Sequence, residues 1–363
     1  MRVLVWHWGR LGAGPCFAAG LAGGFARLPG TTALLSLSAQ AELLRAAAPP
    51  ACELPFPTYN GWPGLIGRLA AFPWLVRRAA RALAPLGPDL AVCAMPALLD
   101  LAMAGALARR GTPFAAVIHD AESHPGDDLP FRMALQRRLA RRAALLVALS
   151  PHVGAKLLEQ GLASNERLLV ASHPPFDFGP VPARSQHEGP FRLLFFGRLR
   201  RYKGLDLLAA ALARLPAGLF AVRIVGSGPP SSALVALAAL EGVRVENRWV
   251  PEAEIANLLA WADAVVLPYR EASQSGVVGA ALAAGRPVVA TSVGGLAEQL
   301  AGESLARLSA PEPEALAACL ARLAEESKRP ATAAPGTSEA AWTELAGAIL
   351  AALPPSVGAP RCR

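Results

Sequence analysis

A cluster of basic side chains follows a mostly apolar run near the middle of the chain. Residues Phe191–Phe196 form that run, and Gly197 comes directly after it. The basic residues that follow are Arg198, Arg200, Arg201 and Lys203. Ligands of open parallel sheets bind beyond the carboxyl ends of the strands. A guanidinium fork and a compact ammonium together match the charge of a diphosphate, so the spacing predicts a diphosphate-binding loop. A solvated basic turn is the structural alternative.

A second loop offers the complementary half of an anion site. The apolar run Ala264–Leu267 leads through Glu271 into Ser275, Gly276 and Val277, which open an alanine-rich helix. Small residues at a helix start leave backbone N–H groups open, and the helix dipole favours an anion there. An ordinary N-cap and tight turn would explain this segment alone. Two such loops in one domain predict a diphosphate held between side-chain cations and backbone amides.

Polar residues also follow an apolar run in the first half of the chain. The run Phe114–Ile118 ends in His119 and Asp120, and His124 follows in a polar loop. A histidine at a strand end can act as a base, donate a hydrogen bond to a sugar or hold an acceptor. It can equally fix the conformation of its own loop. No regular ligand spacing supports a metal site here, so none is expected.

The turn after the first apolar run matches a dinucleotide-binding fingerprint only in part. Gly12 and Gly14 follow Arg2–Trp6, but the next glycine, Gly20, comes too late for GxGxxG. No acidic residue ends the second run, which continues into Ser36-Leu37-Ser38. The pattern therefore argues against NAD binding.

The elements that carry these loops alternate in a regular way. Short apolar runs alternate with alanine- and leucine-rich helical patterns, which is typical of βαβ units and parallel sheets. Four prolines in Pro174–Pro182 predict an extended connector between two series of runs. The predicted strands are Arg2–Trp6, Thr32–Leu37, Leu90–Ala94, Phe114–Ile118, Leu145–Leu149, Leu168–Ala171, Phe191–Phe196, Ala221–Val225, Val243–Glu246, Ala264–Leu267 and Pro287–Ala290.

These runs predict an α/β protein of two domains. The first covers residues 1–175 and the second residues 176–337. A loop rich in Pro, Ala and Thr over 327–336 precedes a helix over about 338–353, which could pack back on the first domain. We expect residues 354–363 to be a disordered tail. A length of 363 residues with 53% apolar composition agrees with two domains that each bury a core.

Charge and cysteine usage narrow the class of protein. The chain has 35 Lys and Arg against 27 Asp and Glu, a net charge of +8, which suits anionic partners without choosing among them. Five dispersed cysteines predict a reducing cytoplasm and argue against a disulfide framework or a zinc site. The longest uncharged run near the start, between Arg10 and Arg27, is too short to span a membrane. A cytoplasmic location is expected.

Four motifs in fixed order, each after a predicted strand, resemble one known family. They read FFGRLRRYKGLDLL, IVGSGP, VLPYREASQSGVV and AAGRPVVATSVGG. The chain is similar over residues 191–295 to the retaining glycosyltransferases of family 4. That resemblance implies the GT-B fold, in which two Rossmann-like domains with parallel sheets face each other across a cleft. It also implies a nucleotide-diphosphate-sugar donor, no further cofactor and no metal.

The resemblance implies a role for each matching residue. Arg198 and Lys203 correspond to the pair that grips the donor phosphates and stabilises the leaving group, and His119 and Asp120 join them as catalytic candidates. The glycine turn after the first strand lets the backbone approach donor sugar and acceptor. The implied donor-binding residues are Gly12, Gly197, Arg198, Lys203, Gly226, Val250, Glu271, Ser275, Gly276 and Val277. The acceptor-side residues are Gly9, Arg10 and His124.

One departure from the family pattern concerns its two glutamates. The corresponding positions hold Ala272 and Ala280, Glu271 lies one step off, and Gly279 stands eight residues beyond it. An ASQSGV-type loop, as in a subset of the family, replaces the paired-glutamate motif. Ribose recognition must then come from elsewhere, and the role of Glu271 stays open.

Two basic stretches suggest where the acceptor lies. Residues 59–83 combine tryptophans and aliphatic side chains with arginines, and residues 132–142 contain five arginines. Such segments suit contact with anionic lipid at the inner face of the cytoplasmic membrane, or are two ordinary helices with solvated faces. A lipid-linked or envelope glycan would then be the acceptor. No nucleic-acid module is apparent, so nucleic-acid binding is not expected.

Two other functions fit the same fold. The missing glutamates suit a catalytically weak nucleotide-sugar-binding partner subunit. A GT-B epimerase or phosphorylase would form product without an added glycan acceptor.

Overall fold

A computed structural model of the chain describes residues 1–125, 130–176, 187–326 and 338–354. The described residues divide into two compact units. The first contains residues 1–122 and 130–174 together with the helix after 338, and the second contains residues 123–125, 175–176 and 187–326. The connector after Phe176, the predicted loop at 327–336 and the predicted tail after 354 lie outside the described residues.

The first unit is a six-stranded parallel sheet in the order β2-β1-β3-β4-β5-β6. Its helices follow the strands in βαβ order, as parallel pairing requires. Its elements are β1 (Arg2–His7), α1 (Ala13–Ala26), β2 (Thr32–Leu37), α2 (Gly61–Ala70), α3 (Phe72–Leu83), β3 (Leu90–Cys93), α4 (Asp100–Arg110), β4 (Phe114–Ile118), α5 (Pro130–Ala140), β5 (Leu145–Ala148), α6 (Pro151–Glu159) and β6 (Leu168–Val170).

The second unit repeats the plan with the strand order β12-β11-β10-β7-β8-β9. All its strand pairs are again parallel. Its elements are β7 (Phe191–Phe196), α7 (Leu205–Leu212), β8 (Phe220–Gly226), α8 (Ser232–Ala238), β9 (Val243–Asn247), α9 (Glu252–Trp261), β10 (Ala264–Leu267), α10 (Gly276–Ala283), β11 (Val288–Thr291), α11 (Gly294–Gln299), β12 (Ala306–Ser309) and α12 (Pro313–Glu326). The last helix described, α13 (Ser338–Ala351), belongs with the first unit.

Strand order decides which loops can meet. In the second unit the chain runs from β7 outward to β9 and then returns to place β10 on the other side of β7. The order reverses between β7 and β10, and such a switch point is where ligands bind in open α/β sheets. The two loops predicted to hold a diphosphate follow these two strands. In the first unit the same reversal falls between β1 and β3.

The predicted α/β fold with two parallel sheets is confirmed. All eleven predicted strands form, and none of their ends differs from the prediction by more than one residue. The strand β12 was missed because its sequence, Ala-Arg-Leu-Ser, is short and half polar. Among the described strands it lies at the sheet edge beside β11, where Arg307 pairs with Glu326 at 3.2 Å. In the described ranges, no helix is both long and apolar enough to span a bilayer.

The helix α13 packs on α1 through one tryptophan. A side chain at Gly20 or Gly24 would collide with Trp342, whose ring atoms lie 2.6 Å from the Gly20 Cβ position. The buried Trp342 also meets Phe17 edge to face, with ring centroids 4.9 Å apart. Arg27 and Glu339 pair beside this contact. The two glycines of α1 therefore form a groove that the indole fills.

Replacing Trp342 by alanine tests that groove. We expect Trp342→Ala to lower the free energy of unfolding of the first unit by about 3–5 kcal/mol, because it empties a buried aromatic site. Urea unfolding followed by circular dichroism measures the change. Trp62→Ala, at an exposed position, serves as the matched control. Equal stability of the two variants would contradict the packing described.

Candidate functional site

The basic loop after β7 lies directly on the end of β10. Gly204 has a left-handed backbone (φ 66°), and a Cβ there would stand 1.7 Å from the Pro268 carbonyl oxygen. Glycine is the residue that permits both the conformation and the close approach. The Tyr202 carbonyl accepts hydrogen bonds from the amides of Arg270 (2.8 Å) and Glu271 (3.4 Å). Backbone contacts thus fix the two loops relative to each other.

Two tyrosines hold the two predicted phosphate-binding cations. Arg198 donates from Nη2 to the Tyr202 hydroxyl oxygen at 2.7 Å. The Lys203 ammonium lies 3.6 Å from the ring centroid of Tyr269 and 5.0 Å from that of Tyr202. Burial raises the pKa of Tyr269 to about 12, so its phenol remains neutral. Both cations therefore rest on uncharged aromatic groups.

The amide turn begins α10 beside the same tyrosines. The Tyr269 hydroxyl lies 3.2 Å from the Ser275 Oγ atom, which links the Lys203 contact to the helix start. The Ser275 amide donates to Gln299 Oε1 at 2.9 Å, and Gln299 Nε2 donates back to the Ser275 carbonyl at 3.1 Å. In this structure the Ser275 amide is thus paired with a side chain, and Ser275 stays a predicted donor-binding residue. The first-turn amides of Gly276 and Val277 remain the predicted donors.

The loops after β8 and β9 complete this end of the sheet. A Cβ on Gly226 would lie 1.7 Å from the Gly197 carbonyl oxygen, so these two predicted donor-binding residues touch through their backbones. The Arg248 amide donates to the Gly226 carbonyl at 2.7 Å. Val250 is half-buried against the core and follows the exposed Trp249. The structure thus brings Val250, a predicted donor-binding residue, to the same edge of the sheet as the basic loop.

The alanines at the glutamate positions face the interior. Ala272 and Ala280 are both buried in the core of the second unit. Glu271 is exposed instead, with Oε2 3.7 Å from Nδ1 of His124. The His124 ring stacks on Tyr202 with centroids 4.5 Å apart. His124 and Glu271, predicted separately, are therefore neighbours around Tyr202.

Three histidines, the buried His7 and His119 and the half-buried His173, gather at the strand ends of the first unit. His7 Nδ1 lies 2.8 Å from the Met95 carbonyl oxygen, and His119 Nε2 lies 2.9 Å from that of Ala94. The third, His173, meets Phe17 edge to face, as His119 does. Burial lowers the pKa of all three, to about 4 for His7 and about 3 for His173. His119 is thus a neutral imidazole whose Nε2 donates to the backbone, so base chemistry by its ring would use Nδ1.

The remaining predicted residues of the first unit surround the turn after β1. A Cβ on Gly9 would stand 2.3 Å from His7 Nε2, so the turn lies directly on that imidazole. Gly12 caps α1 with φ 82°. The Arg10 guanidinium lies 4.9 Å from the ring centroid of Tyr59. The Asp120 carbonyl accepts a hydrogen bond from Gln136 at 2.6 Å, which fixes the backbone after His119.

Sequence reasoning missed the side chains that support the site. Tyr202 and Tyr269 were passed over although the chain has only three tyrosines and two stand in these loops. That enrichment was a usable signal. Gln299 gave none, because it stands 24 residues beyond Ser275 in the chain. Among the described residues, no three His, Cys, Asp or Glu side chains cluster closely enough to hold a metal ion.

Comparison with known proteins decides the family. Residues 12–173 match the model described as Glycosyl transferase 4-like domain, and residues 190–326 match that described as Glycosyl transferases group 1. The fold is similar to the crystal structure of HepE from Anabaena in complex with UDP and glucose. The TM-score is 0.67 and the identity 20%, over 96% of this chain and 95% of that one. The chain belongs to the family 4 glycosyltransferases of the GT-B fold.

Two relatives match over shorter stretches of this glycosyltransferase. The D-inositol 3-phosphate glycosyltransferase of Xylanimonas cellulosilytica is 36% identical over 169 residues, which is 44% of the chain and 40% of the relative. The GDP-mannose:glycolipid 4-beta-D-mannosyltransferase of Xanthomonas campestris pv. campestris is 34% identical over 105 residues, which is 28% of the chain and 30% of the relative. The chain spans less than half the length of either.

The histidine cluster makes the stability of the first unit depend on pH. In the unfolded chain His7 and His173 bind protons as the pH falls below their ordinary pKa of 6.5. In the folded protein they bind protons only when the pH falls to about 4 and about 3, respectively. Each of these histidines therefore lowers the free energy of unfolding between pH 6.5 and 5, by up to about 2 kcal/mol. The buried Asp100, whose pKa burial raises to about 7, acts in the opposite direction, so the histidine contribution is measured as the difference between the unmodified chain and a histidine variant. Urea unfolding at pH 7.5, 6.5, 5.5 and 5 measures it. His173→Phe should flatten the dependence, and an unchanged slope would contradict the assignment.

Proposed function

We propose that this enzyme is a retaining glycosyltransferase that moves a hexosyl group from a nucleotide-diphosphate-sugar to a glycan acceptor. One observation carries the proposal. The cations of Arg198 and Lys203 rest on tyrosines, and Tyr269 links them to the helix start at Ser275. The arrangement stands at the carboxyl ends of β7 and β10, where the strand order reverses. A diphosphate fits between the cations and the first-turn amides of α10.

The relatives support a nucleotide diphosphate as the leaving group. HepE was crystallised with UDP and with UDP-glucose, and the Xanthomonas relative is named for GDP-mannose. UDP-glucose and GDP-mannose share the ribose and the diphosphate, and differ in the base and in the hexose. The chemistry common to both matches the cations and amides of this site. The proposal therefore names the donor class and leaves the base to experiment.

Transfer on one face of the sugar suits the residues present. Negative charge grows on the diphosphate as the glycosidic bond breaks, so positive groups fixed there lower the barrier. Ala272 and Ala280 offer no carboxylate nucleophile. The departing diphosphate can instead take the proton of the acceptor hydroxyl, which attacks from the same face. Arg198 and Lys203 would thus serve both binding and catalysis, and His119 and Asp120 stay catalytic candidates of the first unit.

Charge removal at the two cations tests donor binding. We expect Arg198→Ala and Lys203→Ala each to weaken nucleotide-sugar binding about 10–100-fold, because each loses a hydrogen bond between charged groups. Titration calorimetry against a panel that includes UDP-glucose and GDP-mannose measures the affinity. Arg214→Ala, which removes an exposed arginine paired with Glu314, is the matched control. Unchanged affinity in both site variants would overturn the proposal.

A nucleotide-sugar-binding partner subunit is the second candidate, and the buried Ala272 and Ala280 favour it. Such a subunit would bind the donor without turnover on any acceptor extract. Release of the nucleoside diphosphate in the presence of acceptor supports the transferase. Product formed without a glycan acceptor would support an epimerase or phosphorylase.

The acceptor is proposed to be lipid-linked, because the first unit exposes an apolar face beside arginines. On α2, Trp62, Ile66 and Leu69 follow one helical face, and they are 60%, 64% and 43% exposed. Trp74 on α3 is 49% exposed, and the Arg78 guanidinium lies 5.4 Å from its ring centroid. Exposed arginines follow on α3, on α5 and directly after α5: Arg77, Arg81, Arg137, Arg138, Arg141 and Arg142. Apolar and cationic groups together suit an anionic lipid surface.

Vesicle binding tests that surface. We expect the chain to bind vesicles of phosphatidylcholine with phosphatidylglycerol, and the double variant Trp62→Ala/Ile66→Ala to bind about tenfold more weakly. Co-sedimentation measures the bound fraction. Val235→Ala removes an exposed apolar side chain of the second unit and should bind as the unmodified chain does. Equal binding to neutral and anionic vesicles, or none, would contradict the lipid surface.

A further inference from the structure

Tyr202 stands at the centre of the site although no chemistry has been assigned to it. It lies in a short 3₁₀ turn (Arg201–Lys203) between the two donor-binding cations, and only 3% of it is exposed. Its hydroxyl accepts from Arg198, its ring contacts Lys203 and its carbonyl accepts from the amide of Arg270. The His124 ring stacks on it with an interplanar angle of 17°. Each functional atom group of this tyrosine therefore has a structural partner in the site.

Other arginines of the second unit are held differently. Arg270 pairs with Asp206 at 2.6 Å, and Arg248 pairs with Glu246 and Glu254 at 3.0 and 2.7 Å. A carboxylate orients a guanidinium but also neutralises it. A phenol and an aromatic face orient a cation through a dipole and a quadrupole, and leave its unit charge intact. The tyrosine contacts described for Arg198 and Lys203 thus fix the geometry of both cations through uncharged groups.

We propose that Tyr202 is a positioning residue for the diphosphate: its hydroxyl fixes the Arg198 guanidinium and its ring supports the Lys203 ammonium. The inference rests on the proposed function, since it assigns the diphosphate as the ligand of both cations. Tyr202 acts through Arg198 and Lys203 and need not touch the donor. The Arg198 guanidinium also lies over the ring, 5.8 Å from its centroid, so ring and hydroxyl restrict the same side chain.

Removal of the hydroxyl alone isolates this role. Tyr202→Phe keeps the ring, the stack with His124 and the contact with Lys203, and takes away the acceptor of the Arg198 hydrogen bond. We expect the affinity for a nucleoside diphosphate to fall about tenfold, as for the loss of one charged hydrogen bond. The probe is whichever of UDP, GDP and ADP the unmodified chain binds most tightly by titration calorimetry. Thermal unfolding should change little, because the packed ring remains.

A double-mutant cycle separates positioning from a general structural effect. In an Arg198→Ala background, Tyr202→Phe should cause no further loss of affinity, because the hydroxyl then has no guanidinium to fix. In an Arg214→Ala background the full tenfold loss should persist. Equal losses in all three backgrounds would overturn the inference while leaving the proposed donor site intact. If no nucleoside diphosphate binds the unmodified chain, or if Arg198→Ala leaves its affinity unchanged, the proposed function itself fails.

Discussion

The contact of Gly204 with the Pro268 carbonyl is the constraint on which the second unit's site depends. It allows the loop after β7 to lie on the end of β10 with no side chain between them. At that separation the Tyr202 carbonyl can reach the amides of the neighbouring loop, and Lys203 can reach the Tyr269 ring. Any residue with a Cβ at position 204 would push the loops apart. The close backbone approach at Gly204 therefore determines which side chains can contact each other at this edge of the sheet.

Charge is distributed unevenly over the second unit. Several arginines at its surface pair with carboxylates, whereas the contacts described for Arg198 and Lys203 are with tyrosines. The net charge of +8 consequently says little about where an anion would bind. Local partners decide that, because a neutralised guanidinium attracts a phosphate weakly at physiological ionic strength. In the first unit, by contrast, the imidazoles of His7 and His119 are uncharged and form hydrogen bonds with backbone carbonyls at strand ends.

Much of the fold followed from the sequence because its signals are local. Buried strands such as Ala264–Leu267 are continuous apolar runs, and the proline-rich stretch after Pro174 marked the boundary between the two series. Arg198 and Lys203 were predicted as donor-binding residues because they stand in the loop that follows such a run. The pairing of Ser275 with Gln299 could not be found, since two elements that are distant in sequence must first fold together. The stack of His124 on Tyr202 could not be predicted for the same reason, because a residue pattern does not show which rings contact each other in the fold.

The groove on α1 that receives Trp342 also affects how the chain can fold during its own synthesis. The indole that fills it comes from α13, the last helix described, whereas the sheet it helps to cover begins with β1. During synthesis on a ribosome, the apolar groove of the first unit would therefore stay uncovered until the whole second unit had been made. Apart from residues 123–125 and 175–176, the second unit as described is one stretch from β7 to α12, which can fold as it emerges. The first unit would then be synthesised first but completed last. The chain would be most exposed to aggregation while the groove on α1 is open.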